Sequence, residues 1–122
     1  MARILIVEDD PLVALGFKLF LESRNHEVLA IAVNGPQAVA ETLSRQPDLV
    51  LMDVRLRGEM DGIEAARRIL AERRQSILFV SGSGEPLTLE RIRALNPAGV
   101  LLKPVAPNDL AAEVERLTKE RV

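Results

Sequence analysis

The stretch LVLMDVRLRGEMDG, residues 49–62, decides the fold because a strand predicted to be buried ends there on a charge. Four apolar residues, 49–52, run into Asp53, and a polar loop then closes on Asp61 and Gly62. A continuous apolar run of this length is typical of a strand that is covered on both faces of a parallel sheet. A carboxylate at the end of such a strand needs a chemical reason.

The composition of the chain excludes several explanations. Its 122 residues are one domain's worth, and 48% of them are hydrophobic, which is enough for a folded core. The absence of cysteine excludes a disulfide framework, a thiolate metal site and a cysteine nucleophile. The net charge of −2 gives no general attraction to nucleic acid or to an anionic membrane. The apolar runs are too short for a signal peptide or a membrane span, so we expect a cytoplasmic protein.

Apolar runs and helical segments alternate along the chain. Five apolar runs are predicted to be strands: residues 4–7, 28–33, 49–52, 77–80 and 100–102. The predicted helices that follow them are residues 12–23, 37–45, 63–73, 87–95 and 110–119. This alternation predicts the α/β class with a (βα)5 order, in which helices cover both faces of a parallel sheet. A doubly wound, five-stranded sheet in the order 2-1-3-4-5 fits best.

Several predicted helices start at side chains that can cap them. Asp10 precedes Pro11, and Asn34 precedes the second predicted helix in a similar way. Asp61 can cap the third helix, with Glu64 three residues later as its partner in a capping box. Because capping explains Asp10 fully, we leave this residue out of the candidate site.

Polar side chains follow four of the five predicted strands. Glu8 and Asp9 follow the first strand, Asp53 the third, Ser81 the fourth and Lys103 the fifth. The carboxyl ends of parallel strands meet at one edge of the sheet, and ligands bind there where the strand order reverses. We therefore expect these five side chains to converge on one crevice.

The chemistry of this set points to phosphoryl transfer. Three carboxylates in one crevice repel each other unless a cation lies between them, and all-oxygen ligands suit Mg²⁺ or Mn²⁺. Lys103 and Ser81 add a positive charge and a hydroxyl donor, which are what the oxygens of a phosphoryl group require. A carboxylate can also be the nucleophile and form an aspartyl phosphate. Asp53, at the centre of the set, is the candidate nucleophile.

Five segments carry this pattern, and together they resemble a known family. They read ILIVEDD, LVLMD, MDG, FVSG and LLKP, in that order along the chain. The set resembles the receiver domains of response regulators in two-component signalling, and the resemblance covers essentially the whole chain. It implies one receiver domain over residues 1–122, with no output domain after the fifth helix, that acts as a phosphoacceptor switch.

The resemblance gives the acidic residues their roles. It implies that Asp53 is the phosphoacceptor, that Asp9 binds Mg²⁺ directly and that Glu8 acts on the metal through water. The backbone carbonyl of Arg55, two residues after Asp53, would complete the protein's share of the coordination. Mn²⁺ is possible in place of Mg²⁺.

The resemblance also indicates which residues respond to the phosphoryl group. Lys103 pairs with a phosphoryl oxygen, and Ser81 turns its hydroxyl toward the phosphoryl group on activation. Gly82 occupies a position that needs a small residue for phosphoryl access. Pro104 follows the lysine through a peptide bond that is often cis in this family, and X-Pro bonds are where a cis form costs least.

The sequence departs from the common receiver pattern in two places. Val100 stands three residues before the lysine, where Tyr or Phe is usual, so an aromatic rotamer switch is not available. The loop VRLRGEM after Asp53 is one residue longer than the common form and lacks its usual proline. Arg55 and Ser83 lie two residues past Asp53 and Ser81, at positions where such domains tune the hydrolysis rate.

The resemblance implies partners as well as chemistry. A histidine kinase or a histidine phosphotransfer protein would supply the phosphoryl group, and a downstream protein would read the repacked fourth helix, fifth strand and fifth helix. The domain would be a monomer or an activation-dependent dimer, without direct contact to nucleic acid or membrane. Leu12, Leu15 and Leu19 form a second apolar stripe on the first helix, which either docks the donor or belongs to the core.

Three other functions are open to a chain with this pattern. A pseudo-receiver would act as a binding module without phosphorylation, but no acidic or lysine position of the site is lost. An aspartyl phosphate phosphohydrolase needs a second Asp two residues after the nucleophile, where Arg55 stands. A dinucleotide carrier needs a Gly-rich loop after the first strand, where Glu8 stands instead.

The only histidine, His26, lies in a polar turn and is predicted at the surface. We therefore expect self-phosphorylation and autodephosphorylation only, and no enzyme with an external product.

Overall fold

Five strands and five helices alternate in the computed structural model, which describes residues 1–82 and 84–119. The strands are β1 (Arg3–Val7), β2 (Glu27–Ala32), β3 (Leu49–Asp53), β4 (Ile77–Ser81) and β5 (Gly99–Leu102). The helices are α1 (Pro11–Ser23), α2 (Gly35–Arg45), α3 (Gly62–Glu72), α4 (Pro86–Arg93) and α5 (Pro107–Lys119). The predicted (βα)5 order is confirmed. Within these described ranges, no helix has both the length and the apolar character that crossing a bilayer requires.

The strands form one parallel sheet in the order β2-β1-β3-β4-β5, which confirms the predicted topology. β1 pairs with β2 on one side and with β3 on the other, so the strand order reverses between β1 and β3. Val7 pairs with Met52 and Asp53 pairs with Val80. This register places the residues that follow β1 beside the end of β3, at the carboxyl edge of the sheet.

Helices cover both faces of the sheet and divide the core into two clusters. Successive side chains of a strand point to opposite faces, and along β3 Val50 and Met52 join one cluster while Leu49 and Leu51 join the other. Residues of α2, α3 and α4 fill the first cluster, and residues of α1 and α5 fill the second. The three-layer packing holds the ends of the central strands in fixed positions.

The two strands at the edges of the sheet are less covered than predicted. β1, β3 and β4 are almost fully buried, whereas β2 and β5 are mostly half-buried. An edge strand has a neighbour on one side only, so solvent reaches its outer side. The prediction that Val33 continues the second strand is also wrong, because β2 ends at Ala32. The backbone N–H of Val33 instead donates to the Gln37 side chain at 2.7 Å, where the chain turns into α2.

The predicted caps of the first two helices are present. Asp10 accepts a hydrogen bond from the backbone N–H of Leu12 at 2.9 Å. Asn34 accepts one from the backbone N–H of Gln37 at 2.8 Å. These bonds satisfy donors that have no partner inside the helix. They also fix the directions in which the chain leaves β1 and β2.

The start of α3 is capped on one side only. Asp61 accepts a hydrogen bond from the backbone N–H of Glu64 at 2.8 Å, as predicted. The Glu64 side chain instead forms ion pairs with Arg67 at 2.6 Å and with Arg68 at 2.9 Å. Hydrogen bonds from Arg67 and then Arg68 lower the pKa of Glu64 to about 2. The expected capping box is therefore replaced by a cluster of charges on the surface of α3.

Candidate functional site

Three carboxylates meet at the carboxyl edge of the sheet, where the strand order reverses. One ligand oxygen from each of Glu8, Asp9 and Asp53 lies within 4.8 Å of the others. Glu8 is 2% exposed and Asp53 is 5% exposed, while Asp9 is half-buried. The pairing of β1 with β3 brings these side chains together, as the sequence predicts.

Lys103 lies against two of these carboxylates. Its Nζ is 2.9 Å from Glu8 Oε1 and 3.3 Å from Asp53 Oδ2. Its backbone N–H donates to the carbonyl of Ser81 at 2.8 Å, which ties the lysine to the end of β4. Burial lowers the pKa of Lys103, but the hydrogen bond that Lys103 donates to Glu8 and the charge of Asp53 outweigh burial and raise this pKa. The ammonium therefore stays charged at any physiological pH.

The donor set fits a hard divalent cation. Glu8 and Asp53 are buried and share a single ammonium, so negative charge is in excess in the buried part of the crevice. The three candidate ligands are carboxylates, and one oxygen of each lies within 4.8 Å of the others. Oxygen ligands with room for water are what Mg²⁺ prefers. The residues present are therefore compatible with the metal that the sequence predicts.

Ser81 and Gly82 lie at the end of β4, which pairs with β5, the strand that Lys103 follows. Ser81 is buried and pairs in register with Leu102. Gly82 is exposed, and a Cβ atom built on it would meet no heavy atom of residues 1–82 or 84–119 within 4 Å. The space beside Gly82 is thus open. The role of this glycine in phosphoryl access, like the activation role of Ser81, stays a prediction.

Three further predicted positions lie within the described residues. Arg55 is exposed and follows Asp53 by two residues. Val100 is half-buried and pairs with Phe79, so a small aliphatic side chain occupies the usual aromatic position. The Lys103–Pro104 peptide is cis, as the resemblance implies. Ser83, predicted to tune hydrolysis, lies outside the described residues.

The sequence did not single out Arg57, which also reaches this crevice. Its Nε lies 3.9 Å from Asp9 Oδ2, and its side chain is 80% exposed. Its backbone forms an isolated parallel bridge with Asn34, at the start of α2. The longer loop with its basic residues was the available signal, but the sequence does not specify which carboxylate a loop arginine will face.

Two glycines shape the loop that carries Arg57. Gly58 has φ +93°, a backbone conformation that L side chains rarely adopt. A Cβ atom on Gly62 would overlap the carbonyl oxygen of Asp53. The backbone N–H of Gly62 also donates to the carbonyl of Val54 at 2.7 Å. The loop therefore leaves Asp53 and returns into close contact with it.

The second apolar stripe of α1 is exposed. Leu12 is 80% exposed, Leu15 46% and Leu19 58%, which contradicts the alternative that both stripes belong to the core. Beside Leu12, an apolar groove of about 600 Å³ runs between α1 and the segment after Lys103, with Phe17 in its wall. The groove begins at the lysine of the site and continues along the exposed helix.

Comparison with known proteins identifies the family. The signature of the response regulator receiver domain matches residues 4–115. The chain belongs to this family. The transcriptional regulatory protein PdtaR of Mycobacterium tuberculosis is 32% identical over 113 residues, which are 93% of this chain and 55% of PdtaR. The chain thus spans about half the length of this relative, and we treat the activities of whole regulators as proposals.

Solved receiver domains share the fold over nearly the full chain. The signal receiver domain of a modulated diguanylate cyclase from Desulfovibrio desulfuricans G20 superposes with a TM-score of 0.90 at 36% identity. The match covers 99% of this chain and 96% of that chain. A CheY-like receiver domain protein from Methanospirillum hungatei JF-1 gives a TM-score of 0.89 at 26% identity, with 99% and 97% covered.

Proposed function

We propose that this receiver domain is a phosphoacceptor switch in two-component or phosphorelay signalling, and that Asp53 accepts the phosphoryl group. One observation carries the proposal. The Asp53 carboxylate is almost fully buried at the sheet edge, beside Lys103 and two further carboxylates. A charge placed there has no packing function. Its surroundings match those that phosphoryl transfer requires.

The reaction is a transfer between two nucleophiles. A carboxylate oxygen of Asp53 attacks the phosphorus of a phosphohistidine on a histidine kinase or a histidine phosphotransfer protein. The P–O bond forms as the P–N bond breaks, and the imidazole leaves with the bonding electron pair. The product is an aspartyl phosphate, which water later cleaves to the carboxylate and inorganic phosphate. The phosphoryl group of the donor thus ends as inorganic phosphate, and the domain converts no other external substrate.

The acidic residues would hold the metal on which this transfer depends. Asp9, Asp53 and the backbone carbonyl of Arg55 are the proposed direct ligands of Mg²⁺, and Glu8 would act on the metal through water. Mn²⁺ is a possible substitute. When bound, the cation neutralises charge that develops on the phosphoryl oxygens. The buried positions of Glu8 and Asp53 exclude bulk water from one side of the crevice.

Lys103 and Ser81 would bind oxygens of the phosphoryl group. The ammonium lies 3.3 Å from Asp53 Oδ2, so an oxygen of a phosphoryl group on Asp53 comes within its reach. A hydroxyl donor at Ser81 would bind a second oxygen and draw the end of β4 toward the site. Arg55 and Ser83 would tune the hydrolysis rate, and Gly82 would leave the approach open.

The signal would emerge on the surface formed by α4, β5 and α5. Val100 in β5 is too small to act as the usual aromatic switch, so the response would rest on repacking between α4 and β5. A downstream protein would bind this surface, or a second copy would bind it in an activation-dependent dimer. We place this system in the cytoplasm, where kinase and phosphotransfer partners act.

The donor would dock on the exposed face of α1. Leu12, Leu15 and Leu19 form an apolar patch that continues into the groove beside Lys103. A patch of this kind next to the phosphoacceptor would bring a donor histidine to Asp53. Residues 1–122 would act as one receiver domain, whose effect on transcription or on another output depends on the protein it controls.

Intact mass spectrometry after incubation with acetyl phosphate tests the chemistry directly. We expect a phosphoryl adduct on the wild type in the presence of Mg²⁺, and no adduct with excess EDTA. The Asp53→Asn variant keeps the shape of the side chain and should form no adduct. Glu72→Gln, an exposed change on α3, is the matched control and should behave as the wild type. A folded wild type that binds Mg²⁺ but never forms the adduct would favour the pseudo-receiver alternative.

A phosphohydrolase of the aspartyl phosphate type is the less favoured alternative. Such an enzyme needs a carboxylic acid two residues after the nucleophile, and Arg55 occupies that position. Release of phosphate from a panel of phosphate monoesters at more than a few turnovers would support it. A single phosphorylation event per chain, followed by slow hydrolysis, supports the switch.

A further inference from the structure

Each carboxylate of the acidic crevice faces a cationic side chain of the protein. Glu8 and Asp53 share Lys103, at 2.9 Å and 3.3 Å. Asp9 faces a different cation, the guanidinium of Arg57, at 3.9 Å. Lys103 directly follows β5 and is half-buried, whereas Arg57 lies in the loop after β3 and is exposed. The two cations therefore come from different segments of the chain and contact different carboxylates.

The backbone of the loop supports the position of Arg57. The parallel bridge between Arg57 and Asn34 attaches this part of the loop to the start of α2. Three residues further on, Met60 packs on Gly35, where a Cβ atom would lie 2.6 Å from Met60 Cγ. Gly58, with its positive φ, makes the turn between these two attachments. The loop is thus fixed on both sides of the turn, with Arg57 directed to Asp9.

We infer that Arg57 is a resident counter-ion of Asp9 that competes with the divalent cation and lowers the affinity of the site for it. This inference rests on the proposed function, because it takes Asp9 to be a metal ligand. The same carboxylate would serve both cations, and two positive charges a few ångströms apart repel each other. Binding of the metal would therefore release the guanidinium. By linkage, the guanidinium weakens metal binding by the same factor by which the metal weakens the ion pair.

The chemistry of the guanidinium and of the divalent metal ion explains why the metal ion would displace the guanidinium from Asp9. A guanidinium on an exposed side chain gains little from an ion pair in water, because solvent screens it and ordering the side chain costs entropy. A divalent cation held by three carboxylates gains far more. Arg57 would thus reduce occupancy without blocking the site. Once displaced, it would stand at the mouth of the crevice, where an anionic donor approaches.

Metal binding measured by calorimetry tests this inference without reference to phosphorylation. The wild type, Arg57→Gln and Arg57→Lys would be titrated with Mg²⁺ at low ionic strength. An exposed ion pair is worth up to about 1 kcal/mol, so Arg57→Gln should lower the Kd for Mg²⁺ by roughly two- to fivefold. Arg57→Lys keeps the charge and should stay near the wild-type value. The gain should shrink at about 1 M salt, where screening is strong.

Matched variants separate this effect from a general change in charge. Arg93→Gln on α4 removes the same charge from another exposed position and should leave the Kd unchanged. An Arg57→Gln variant that binds Mg²⁺ no more tightly than the wild type would overturn the inference, and the proposed function would still stand. A wild type that binds no divalent cation, or an Asp9→Asn variant that binds it equally well, would overturn both the inference and the proposed metal site.

Discussion

Arg91 of α4 forms an ion pair with Asp61, the residue that caps α3, with 3.1 Å between Nη1 and Oδ2. Asp61 uses its other oxygen to accept the backbone N–H of Glu64. The backbone N–H of the next residue, Gly62, donates to the carbonyl of Val54, which directly follows β3. One carboxylate thus links α4 to the loop that leaves Asp53. Because α4 belongs to the proposed output surface, this pair connects the site to the part that would move.

Removing this ion pair should loosen α4. We expect Arg91→Gln to raise amide hydrogen exchange within residues 86–93, and to lower the free energy of unfolding by less than about 1 kcal/mol, because both side chains are partly exposed. Exchange measured by mass spectrometry checks this expectation. Arg93→Gln, two residues further along, is the control. Equal exchange in the two variants would mean that the pair does not hold α4.

Substitution of Gly62 should be far more damaging than substitution of another glycine. A methyl group at Gly62 would overlap the Asp53 carbonyl oxygen, so the backbone has to shift. We expect Gly62→Ala to lower the free energy of unfolding by about 3 kcal/mol. Gly16 lies inside α1, and no atom of another part of the described chain comes within 4 Å of its Cβ position, so Gly16→Ala should raise stability by about 0.5–1 kcal/mol. Urea unfolding of both variants checks whether the free energy of unfolding falls for Gly62→Ala and rises for Gly16→Ala.

Mg²⁺ should stabilise the folded chain by mass action. At a concentration ten times its Kd, a ligand that binds only the folded state adds about 1.4 kcal/mol to the free energy of unfolding. We expect a gain of this size in the wild type and its loss on addition of excess EDTA. Asp9→Asn should abolish most of the gain. A gain that survives in this variant would place the stabilising ion elsewhere on the protein.

His26 should make stability depend on pH in the mildly acidic range. It is half-buried rather than fully at the surface as predicted, and its Nδ1 accepts the backbone N–H of Ala2 at 3.1 Å. Burial and the N-terminal charge lower the pKa of His26, so the folded state favours the neutral ring. The stability this gives is complete above about pH 6.5 and is lost as pH falls below that value.

Urea unfolding at pH 7.5 and pH 5.5 measures this dependence. We expect the wild type to be less stable at pH 5.5 than at pH 7.5, because the folded state favours the neutral ring of His26. His26→Asn places an oxygen acceptor at the same position without a titrating group, so its stability should change less. An equal loss in the wild type and the variant would assign the pH dependence to other groups.

A charge on the exposed face of α1 should weaken donor docking without affecting the fold. We expect Leu15→Arg to keep the wild-type melting temperature within a few degrees, because Leu15 is 46% exposed. It should slow phosphotransfer from a phosphorylated donor at least severalfold. Phosphorylation by acetyl phosphate needs no docking surface and should stay unchanged. Loss of both reactions together would indicate damage to the site rather than to docking.

The sequence predicted the fold and the acidic crevice well because both depend on local patterns. Apolar runs interrupted by capped helices determine the order of the strands, and that order determines which strand ends meet. Asp53 and Lys103 are 50 residues apart, yet each follows an apolar run at the same edge of the sheet. The strand order alone therefore predicts that Asp53 and Lys103 lie close together.

The contacts that the sequence did not reveal depend on competition between partners. Glu64 could have bonded the backbone at the start of α3, but two arginines one turn further along bind it instead. Arg57 could have pointed to solvent, and its approach to Asp9 depends on the turn at Gly58 and on the contact with α2. Such choices involve free-energy differences of about 1 kcal/mol, which a pattern of residue types cannot resolve.

The shortness of β5 affects how the molecule behaves in a crowded solution. β5 lies at the edge of the sheet and is four residues long, so its outer side offers few backbone groups to a strand from another molecule. Pro97 and Pro104, two residues before and after it, have no N–H to extend such a pairing. The surface proposed to carry the signal thus includes a strand edge that resists indiscriminate aggregation. An assembly formed through this surface would rely on side chains, which evolution can make specific.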